Sequence, residues 1–456
     1  MATSLKRSKG TPSSTQIGTF SYWIRRSKIG VGMNVYSNTV ENDNNRGYIQ
    51  FESDDAWRMV DNDASGDHIV LKTTRKFRDV SSWYHIVVRV DTTQSTNTDR
   101  VRVYVNGVQE TSFSSTTYPN QNENLKIFEG GQTNREYINN IYGGSAGPSF
   151  YISHFHFADG QSYGPDTFGS TDPATGEWSI KASPTVTYGN QGFFMFKNDA
   201  SLNDDSGRGN NWTADSGTIQ FAHDNPSNVF STVNHLTGNP LGLSTGSLKA
   251  VQSNGNTSSY NPVYFSTLGY NAGKFYWETK VSSFSTGSGH SVSLMRTNTG
   301  HIPSYANDNT ETGTSIGNNT VNYFFAEATT YFKKYGTNEQ SGSVGSTLSS
   351  GDIVGMSHDV SAGEVKYFVN GNQIGSTITG VSSANDGYFY IPYWTFESKP
   401  SSRYCTMEWN MGNGHFGTTA ISTNSGNGYA GAEGASKFNY QPASGFCALS
   451  TKGLNI

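Results

Sequence analysis

Two tyrosines in polar loops offer the most readable chemistry in this chain. Tyr305, in Pro303-Ser304-Tyr305-Ala306-Asn307-Asp308, and Tyr335, in Lys334-Tyr335-Gly336-Thr337-Asn338, stand among residues that suit a sugar. An exposed ring packs against the C–H side of a hexose, while neighbouring Asn and Asp groups bond its hydroxyls. Surface tyrosine is also ordinary in a chain with 26 of them, so both readings stand at this point. Sugar cleavage is a different matter. Retaining hydrolysis needs two carboxylates roughly 5 Å apart, easily supplied by acids at i and i+2 or i+4 on one strand face. Glu278, Glu364 and Glu408 each stand alone among apolar or basic neighbours. No catalytic residue is assigned, and the chain is expected not to be an enzyme.

Other constellations weaken under the same scrutiny. In Tyr151-Ile152-Ser153-His154-Phe155-His156-Phe157 a period of two puts Phe155 and Phe157 on one face and both histidines on the other. Two imidazoles pointing the same way could ligate a metal, but no third ligand sits beside them at a recognisable spacing. Asp204-Asp205-Ser206-Gly207 could hold calcium through carboxylate and backbone oxygens; a turn closed by Asx hydrogen bonds explains the same residues and is favoured. Gly426, Gly428 and Gly431 fit Gly-x-Gly-x-x-Gly without the strand before and helix after that a nucleotide loop needs, so they read as a flexible loop. Neither a metal nor another cofactor is expected. Lys6, Arg7 and Lys9 form a basic N-terminal arm over residues 1–17, either solvated or docked on a neighbouring acidic subunit as an assembly anchor.

The elements that must position these residues are strands. Val103-Tyr104-Val105-Asn106-Gly107 and Tyr367-Phe368-Val369-Asn370-Gly371 each bring an alternating apolar run to Asn-Gly, the pair best able to take the positive φ angles of a two-residue hairpin. Each follows an earlier strand, His85–Asp91 or Asp352–Val360, across a polar loop. No long stretch shows apolar spacing at i, i+3, i+4, i+7. The 26 Tyr, 26 Phe and 8 Trp favour a pleated surface. Only 15% of residues are charged, and 51 are glycine, a turn-rich and mostly uncharged surface. The fold class expected is all-β: two antiparallel concanavalin A-like or jelly-roll sandwiches in tandem. The first takes 18–202, a linker and wrapping segment takes 203–248 around Pro226 and Pro240, and the second takes 249–456. Trp277, Trp394 and Trp409 lie in strands and are expected in the core.

A net charge of −5 without a basic stripe leaves no electrostatic footprint for nucleic acid. No run is long and apolar enough to span a membrane, and no signal peptide opens the chain. Synthesis and folding in a cytoplasm are expected. Cys405 and Cys447 permit one bridge but do not imply it; two free buried thiols are the default.

Several stretches also carry a family resemblance. Ser21–Lys28 (SYWIRRSK), Trp83–Asp91 (WYHIVVRVD) with Val103–Gly107, and Phe155–Gln161 (FHFADGQ) resemble the laminin-G-like, concanavalin A-like domains common in predicted proteins of marine tailed phages. Phe168–Trp178 and Asp205–Thr213 look like the tail of that module. Gly273–Glu278 (GKFYWE), Gly351–Gly355 (GDIVG) and Gly363–Gly371 (GEVKYFVNG) resemble a SPRY-type sandwich, with Pro442–Phe446 (PASGF) similar to its closing segment. The module usually opens with a longer lead-in strand, so the short arm here implies an edge left for a partner to complete. The resemblance implies a non-enzymatic virion structural protein: a tail fibre, tail appendage, or capsid-surface fibre or decoration. It would be made in the host cytoplasm and would contact other virion proteins and a host-surface glycan or protein. It also implies a homo-oligomer, a trimer by analogy with the virion setting, since no heptads or collagen triplets specify one. The alternative is a soluble lectin-like carbohydrate-binding protein, with a polysaccharide-degrading enzyme third.

Overall fold

The computed structural model describes residues 3–39, 44–197, 201–236, 242–252, 262–285, 290–297, 320–325, 330–335, 337–340, 344, 348–382, 387–396, 404–422 and 428–456. They divide into two compact units, Met1–Phe221 with Asn225–Ser227, and Ala222–Asp224 with Asn228–Ile456. Both are antiparallel β-sandwiches, the fold class expected from the alternating strands and turn signals.

In the first unit a six-stranded sheet runs in the order Phe193–Met195, Phe150–Asp159, Ile17–Arg26, Tyr84–Asp91, Val101–Val105, Val108–Glu110. Its alternation is plain. Phe20, Tyr22 and Ile24 point into the core with Ile86, Val88, Val90, Val101, Val103 and Val105, which leaves Ser21, Trp23 and His85 on the outer face. An eight-stranded sheet closes the core in the order Phe113–Thr117, Gly66–Lys76, Ala56–Asp63, Arg46–Phe51, Met33–Thr39, Gln132–Ile138, Ser4–Lys9, Thr213–Ser216. Trp57 of this sheet donates its indole N–H to Tyr22 Oη of the other across 2.9 Å, a satisfied polar contact inside the core.

The basic N-terminal arm is not an arm. Ser4–Lys9 is an inner strand, paired with Gln132–Ile138 on one side and Thr213–Ser216 on the other. Leu5 and Arg7 face inward; Arg7 lies directly opposite Glu136, and the two side chains are paired inside the sandwich. Tyr36 Oη donates to the same carboxylate, and Lys9 Nζ stands 3.7 Å from it while donating to the Ile127 carbonyl at 2.9 Å. The Arg7 guanidinium also lies 4.9 Å from the Phe193 ring centroid and 5.2 Å from that of Trp212. Burial pushes the Glu136 carboxyl up, but Arg7 and Lys9 together hold it below its ordinary value; burial drives the Lys9 ammonium down to about 8. Buried charges need partners, and that requirement makes strand residues of what looked like a solvated basic tail. Lys6, on the other face, bonds Asp215 at 3.0 Å. The edge expected to await a partner is therefore filled by the chain itself, and Lys6, Arg7 and Lys9 are held by intramolecular partners rather than presented as an anchor.

The boundaries shift for the same kind of reason. Residues expected in a linker from 203 belong to the first sandwich as far as 221: Trp212 packs in its core and Thr213–Ser216 completes its sheet. Those from 228 belong to the second, where Val233 and Leu248 are core residues.

The second unit has two seven-stranded sheets. One runs Leu243–Ser244, Lys249–Gln252, Cys405–Asn410, Lys274–Phe284, Ile353–Asp359, Glu364–Val369, Asn372–Ile378; the other runs Val233–Asn234, Val263–Ser266, Phe389–Thr395, His290–Thr297, Thr320–Phe325, Tyr331–Lys334, Thr337–Gln340. Trp277, Trp394 and Trp409 are fully buried between them, and Trp394 donates across the core to Thr279 Oγ1 at 2.9 Å. Phe446–Leu449 closes the unit by exchanging backbone bonds with Lys274 and Tyr276 through Cys447, both at 2.9 Å. Cys405 and Cys447 are buried, unbridged thiols. Among the described residues no helix is long and apolar enough to cross a membrane.

Removing the Glu136 carboxylate leaves two buried cations without their anion. Glu136→Ala is expected to destabilise the first sandwich by ~3–5 kcal/mol, read as a lower denaturant midpoint with an unchanged slope. A loss below 1 kcal/mol would show that the buried charges are not what holds the N-terminal strand.

Candidate functional site

One end of the second sandwich carries a guanidinium in contact with two tyrosine rings. Along His290–Thr297, Val292 and Leu294 are core residues, and the period of two continues that inward row to Arg296, which lies opposite Tyr390 of the neighbouring strand. Tyr331–Lys334 sends Phe332 into the core, and Tyr335 follows at its end with φ 50°. That left-handed conformation is costly for an aromatic residue; a backbone bond from Tyr335 N–H to the Thr320 carbonyl at 2.8 Å holds it. The Arg296 guanidinium carbon lies 3.6 Å from the Tyr335 ring centroid and 4.6 Å from that of Tyr388. Each such contact contributes ~0.5–2 kcal/mol depending on desolvation. Arg296 Nε is buried without a hydrogen-bond acceptor. The nearby cation Lys334, by contrast, has partners: Glu339 at 3.2 Å and the Thr379 carbonyl at 3.0 Å.

Of the two tyrosines expected to contact a glycan, Tyr335 is part of this arrangement, and Tyr305 lies outside the described residues. Arg296 and Tyr388 were missed by sequence reasoning. The available signal was the row Val292, Leu294, Arg296: an arginine that continues an inward-facing alternation needs an unusual neighbourhood.

The carboxylates singled out in the sequence have partners among the described residues. Cross-strand register places Glu278 opposite Asn410 and Glu408 opposite Lys280. The two carboxylates thus share a sheet face rather than standing alone. Neither is available. Glu278 is buried and accepts hydrogen bonds from the Asn439 and Tyr440 amides, at 2.9 and 2.7 Å, from Asn410 Nδ2 at 2.9 Å and from Tyr276 Oη at 3.3 Å. Glu408 is paired with Lys249 at 2.7 Å, and Glu364 with Lys366 at 3.0 Å.

In the first sandwich Ser21 Oγ and His85 Nε2 are 2.9 Å apart, the separation of a nucleophile and its base. The other ring nitrogen decides the matter. Trp178 donates its indole N–H to His85 Nδ1 at 2.9 Å, so Nδ1 is the acceptor and Nε2 carries the proton. An imidazole that donates to the hydroxyl cannot take its proton. Burial also pushes His85 down to about 3, which keeps the ring neutral.

His154 and His156 lie on the outer face, as the alternation predicts. A bulge sets His154 at φ 47°, and the rings are 6.5 Å apart. His156 stacks on Phe194 at 3.9 Å, and its Nδ1 lies 2.8 Å from Tyr188 Oη. Among the described residues no three His, Cys, Asp or Glu side chains are grouped to hold a metal. The Asp204 carboxylate accepts from the amides of Phe194, Ser206 and Asn210 and from Ser206 Oγ, at 2.7–2.9 Å, which is the Asx-turn reading of that cluster. Gly426 lies outside the described residues; Gly428 and Gly431 donate to the Phe438 carbonyl and Ser436 Oγ.

Residues 4–144 match a laminin-G family described as the concanavalin A-like lectin/glucanases superfamily. The match begins in the N-terminal strand and identifies a concanavalin A-like domain in the first unit. No curated protein matches the sequence. Among solved structures the chain is similar in part to the PSpry domain of TRIM65, at 15% identity over 40% of this chain and 88% of that one with a TM-score of 0.30. Stonustoxin is similar at 16% identity over 40% of this chain and 27% of its own, TM-score 0.28. The SPRY domain of human HERC1 is similar at 13% over 39% and 96%, TM-score 0.29.

Burial pushes the Glu278 carboxyl from its ordinary 4.5 up to about 7, against the downward pull of the Asn439 and Tyr440 amides and Asn410. Between these values the folded protein keeps a proton that the unfolded chain has lost. The contribution of Glu278 to stability is therefore full at low pH and falls as pH rises from about 4.5 to about 7. The stability of the wild type relative to Glu278→Gln is expected to drop by on the order of 3 kcal/mol across that window and to level above it, measured by denaturant melts at stepped pH. A difference that does not change with pH would refute the assignment.

Proposed function

We propose that this chain is a non-enzymatic structural protein of a tailed-phage particle, with two sandwiches displayed on the tail or capsid surface and the Arg296 end of the second meeting a glycan or protein of the host envelope. The observation that carries the non-catalytic part is the state of the reactive groups. Ser21 meets an imidazole that donates rather than accepts, Glu278 is saturated by donors of its own unit, and Glu408 is salt-bridged. A concanavalin A-like fold belongs to a superfamily whose description includes both lectins and glucanases, and fold alone does not choose between them. The occupied carboxylates favour binding.

The particle setting is supported by the motif resemblance across both halves and by a surface with few charges, 15% of residues in all. In that setting the partners are other virion proteins and further copies of the chain, and release from the host cytoplasm accompanies lysis.

Mass spectrometry of purified particles of the encoding phage is expected to detect the chain at a fixed stoichiometry to the major structural proteins. Its recovery only from the soluble lysate would overturn the particle assignment in favour of a free lectin-like protein. Incubation with host-envelope polysaccharide is expected to release no reducing ends; release that survives purification would overturn the non-enzymatic assignment.

A further inference from the structure

We infer that Arg296 is the receptor for the carboxylate of an acidic sugar, so that the glycan taken at this end of the second sandwich is a uronate- or sialate-bearing one. The inference rests on the glycan-contact part of the proposed function and adds the ligand class. Three observations carry it. The guanidinium lies against the Tyr335 ring at 3.6 Å and near the Tyr388 ring at 4.6 Å, so two aromatic contacts restrain it without using its N–H donors. Those donors form a rigid fork whose spacing matches the two oxygens of a carboxylate, which an ammonium would not reproduce. Among the described residues no carboxylate or carbonyl meets it, and its Nε is already withdrawn from water without an acceptor. The buried Nε is as far from a ligand's reach as from water's, so the pair offered to a carboxylate is the two terminal nitrogens.

The neighbouring acid does not compete, because Glu339 is engaged by Lys334. The residue after Tyr388, Phe389, is 45% exposed. Its side chain continues the row of Ile391 and Tyr393 on the other face of the sheet, away from Arg296, so contact with the C–H side of a sugar ring falls to the Tyr335 and Tyr388 rings, a contact of less use to an acidic peptide. Tyr335, held at φ 50°, adds a backbone conformation kept only where the surroundings impose it, as happens at ligand sites.

The test is calorimetric titration of the full chain with galacturonate, glucuronate and sialate oligomers, their methyl esters, neutral galactose oligomers and an oligoglutamate peptide. At least one acidic oligosaccharide is expected to bind, with its methyl ester and the neutral sugar at least tenfold weaker. Arg296→Gln and Arg296→Lys are each expected to lose tenfold or more in affinity. Arg296→Lys should keep the wild-type melting temperature to within a few degrees, since a cation remains against the rings, whereas Arg296→Gln loses both ring contacts and should melt lower. Tyr388→Ala should weaken binding in the same direction. Binding of none of the three acids, equal binding of ester and acid, unchanged affinity in Arg296→Gln, or tighter binding of oligoglutamate would each overturn the inference. The proposed function is judged separately by the particle analysis: a chain found in particles that binds no acidic sugar removes this inference alone.

Discussion

An aromatic ring laid over a bare glycine α-carbon recurs in both sandwiches, and the outer layer of each depends on it. In the first, Asn106 and Gly107 turn with φ of 49° and 80°, and a Cβ on Gly107 would stand 2.5 Å from the Trp178 ring. In the second, Asn370 and Gly371 turn with φ of 48° and 81°, and a Cβ on Gly371 would stand 2.6 Å from Tyr440. Each asparagine also ties its turn to the preceding strand, with Asn106 accepting from the His85 amide and Asn370 from the Ile353 amide at 2.8 and 3.0 Å. Only glycine lets the ring come this close, and only a turn of this hand presents the glycine. The segment bearing the ring then determines what lies beneath it. Trp178 sets the tautomer of His85, and the Asn439–Tyr440 backbone saturates Glu278. One packing device thus closes the fold and supplies partners to His85 and Glu278.

The sheets bearing these turns have the same strand order. Phe150–Asp159, Ile17–Arg26, Tyr84–Asp91, Val101–Val105 and Val108–Glu110 in the first unit correspond to Cys405–Asn410, Lys274–Phe284, Ile353–Asp359, Glu364–Val369 and Asn372–Ile378 in the second. Their outer faces differ in chemistry, imidazoles and indoles in one and the carboxylates of Glu278 and Glu408 in the other. Two unlike sandwiches sharing one architecture fit this better than two copies of one sequence. A common backbone pattern constrains where a covering segment must land, and leaves open which polar groups it satisfies.

The elements legible in the sequence were those whose alternation is written in apolar residues. Tyr84–Asp91, Val101–Val105 and Ile353–Asp359 read as strands because one face of each is Val or Ile, and Asn-Gly identified both hairpins. Ser4–Lys9, Met33–Thr39 and Gln132–Ile138 were hidden because their inward or covered positions include Arg7, Lys9, Asn38 and Glu136. A buried ion pair has no signature in one strand taken alone. Arg7 and Glu136 stand directly opposite each other, but that register exists only after the chain has folded. The same limit hid the saturation of Glu278, whose donors come from residues 410, 439 and 440.

Arg296 is a half-buried charge of a different class. Arg7 meets an anion of its own unit, and Arg26 meets Asp55 at 2.9 Å; both are closed within the fold and serve its stability. Arg296 is held by two rings, which stabilise a cation through their faces without neutralising it. A guanidinium so placed keeps its charge and its directional donors, while the rings restrict its orientation. Tyr335 was recognisable as a loop tyrosine of suitable composition, but a ring alone says nothing of what it presents. The stacked pair makes the distinction. Where the first sandwich uses aromatic contacts to secure an arginine already bound to carboxylate, the second uses them to hold one for which no described residue supplies an anion.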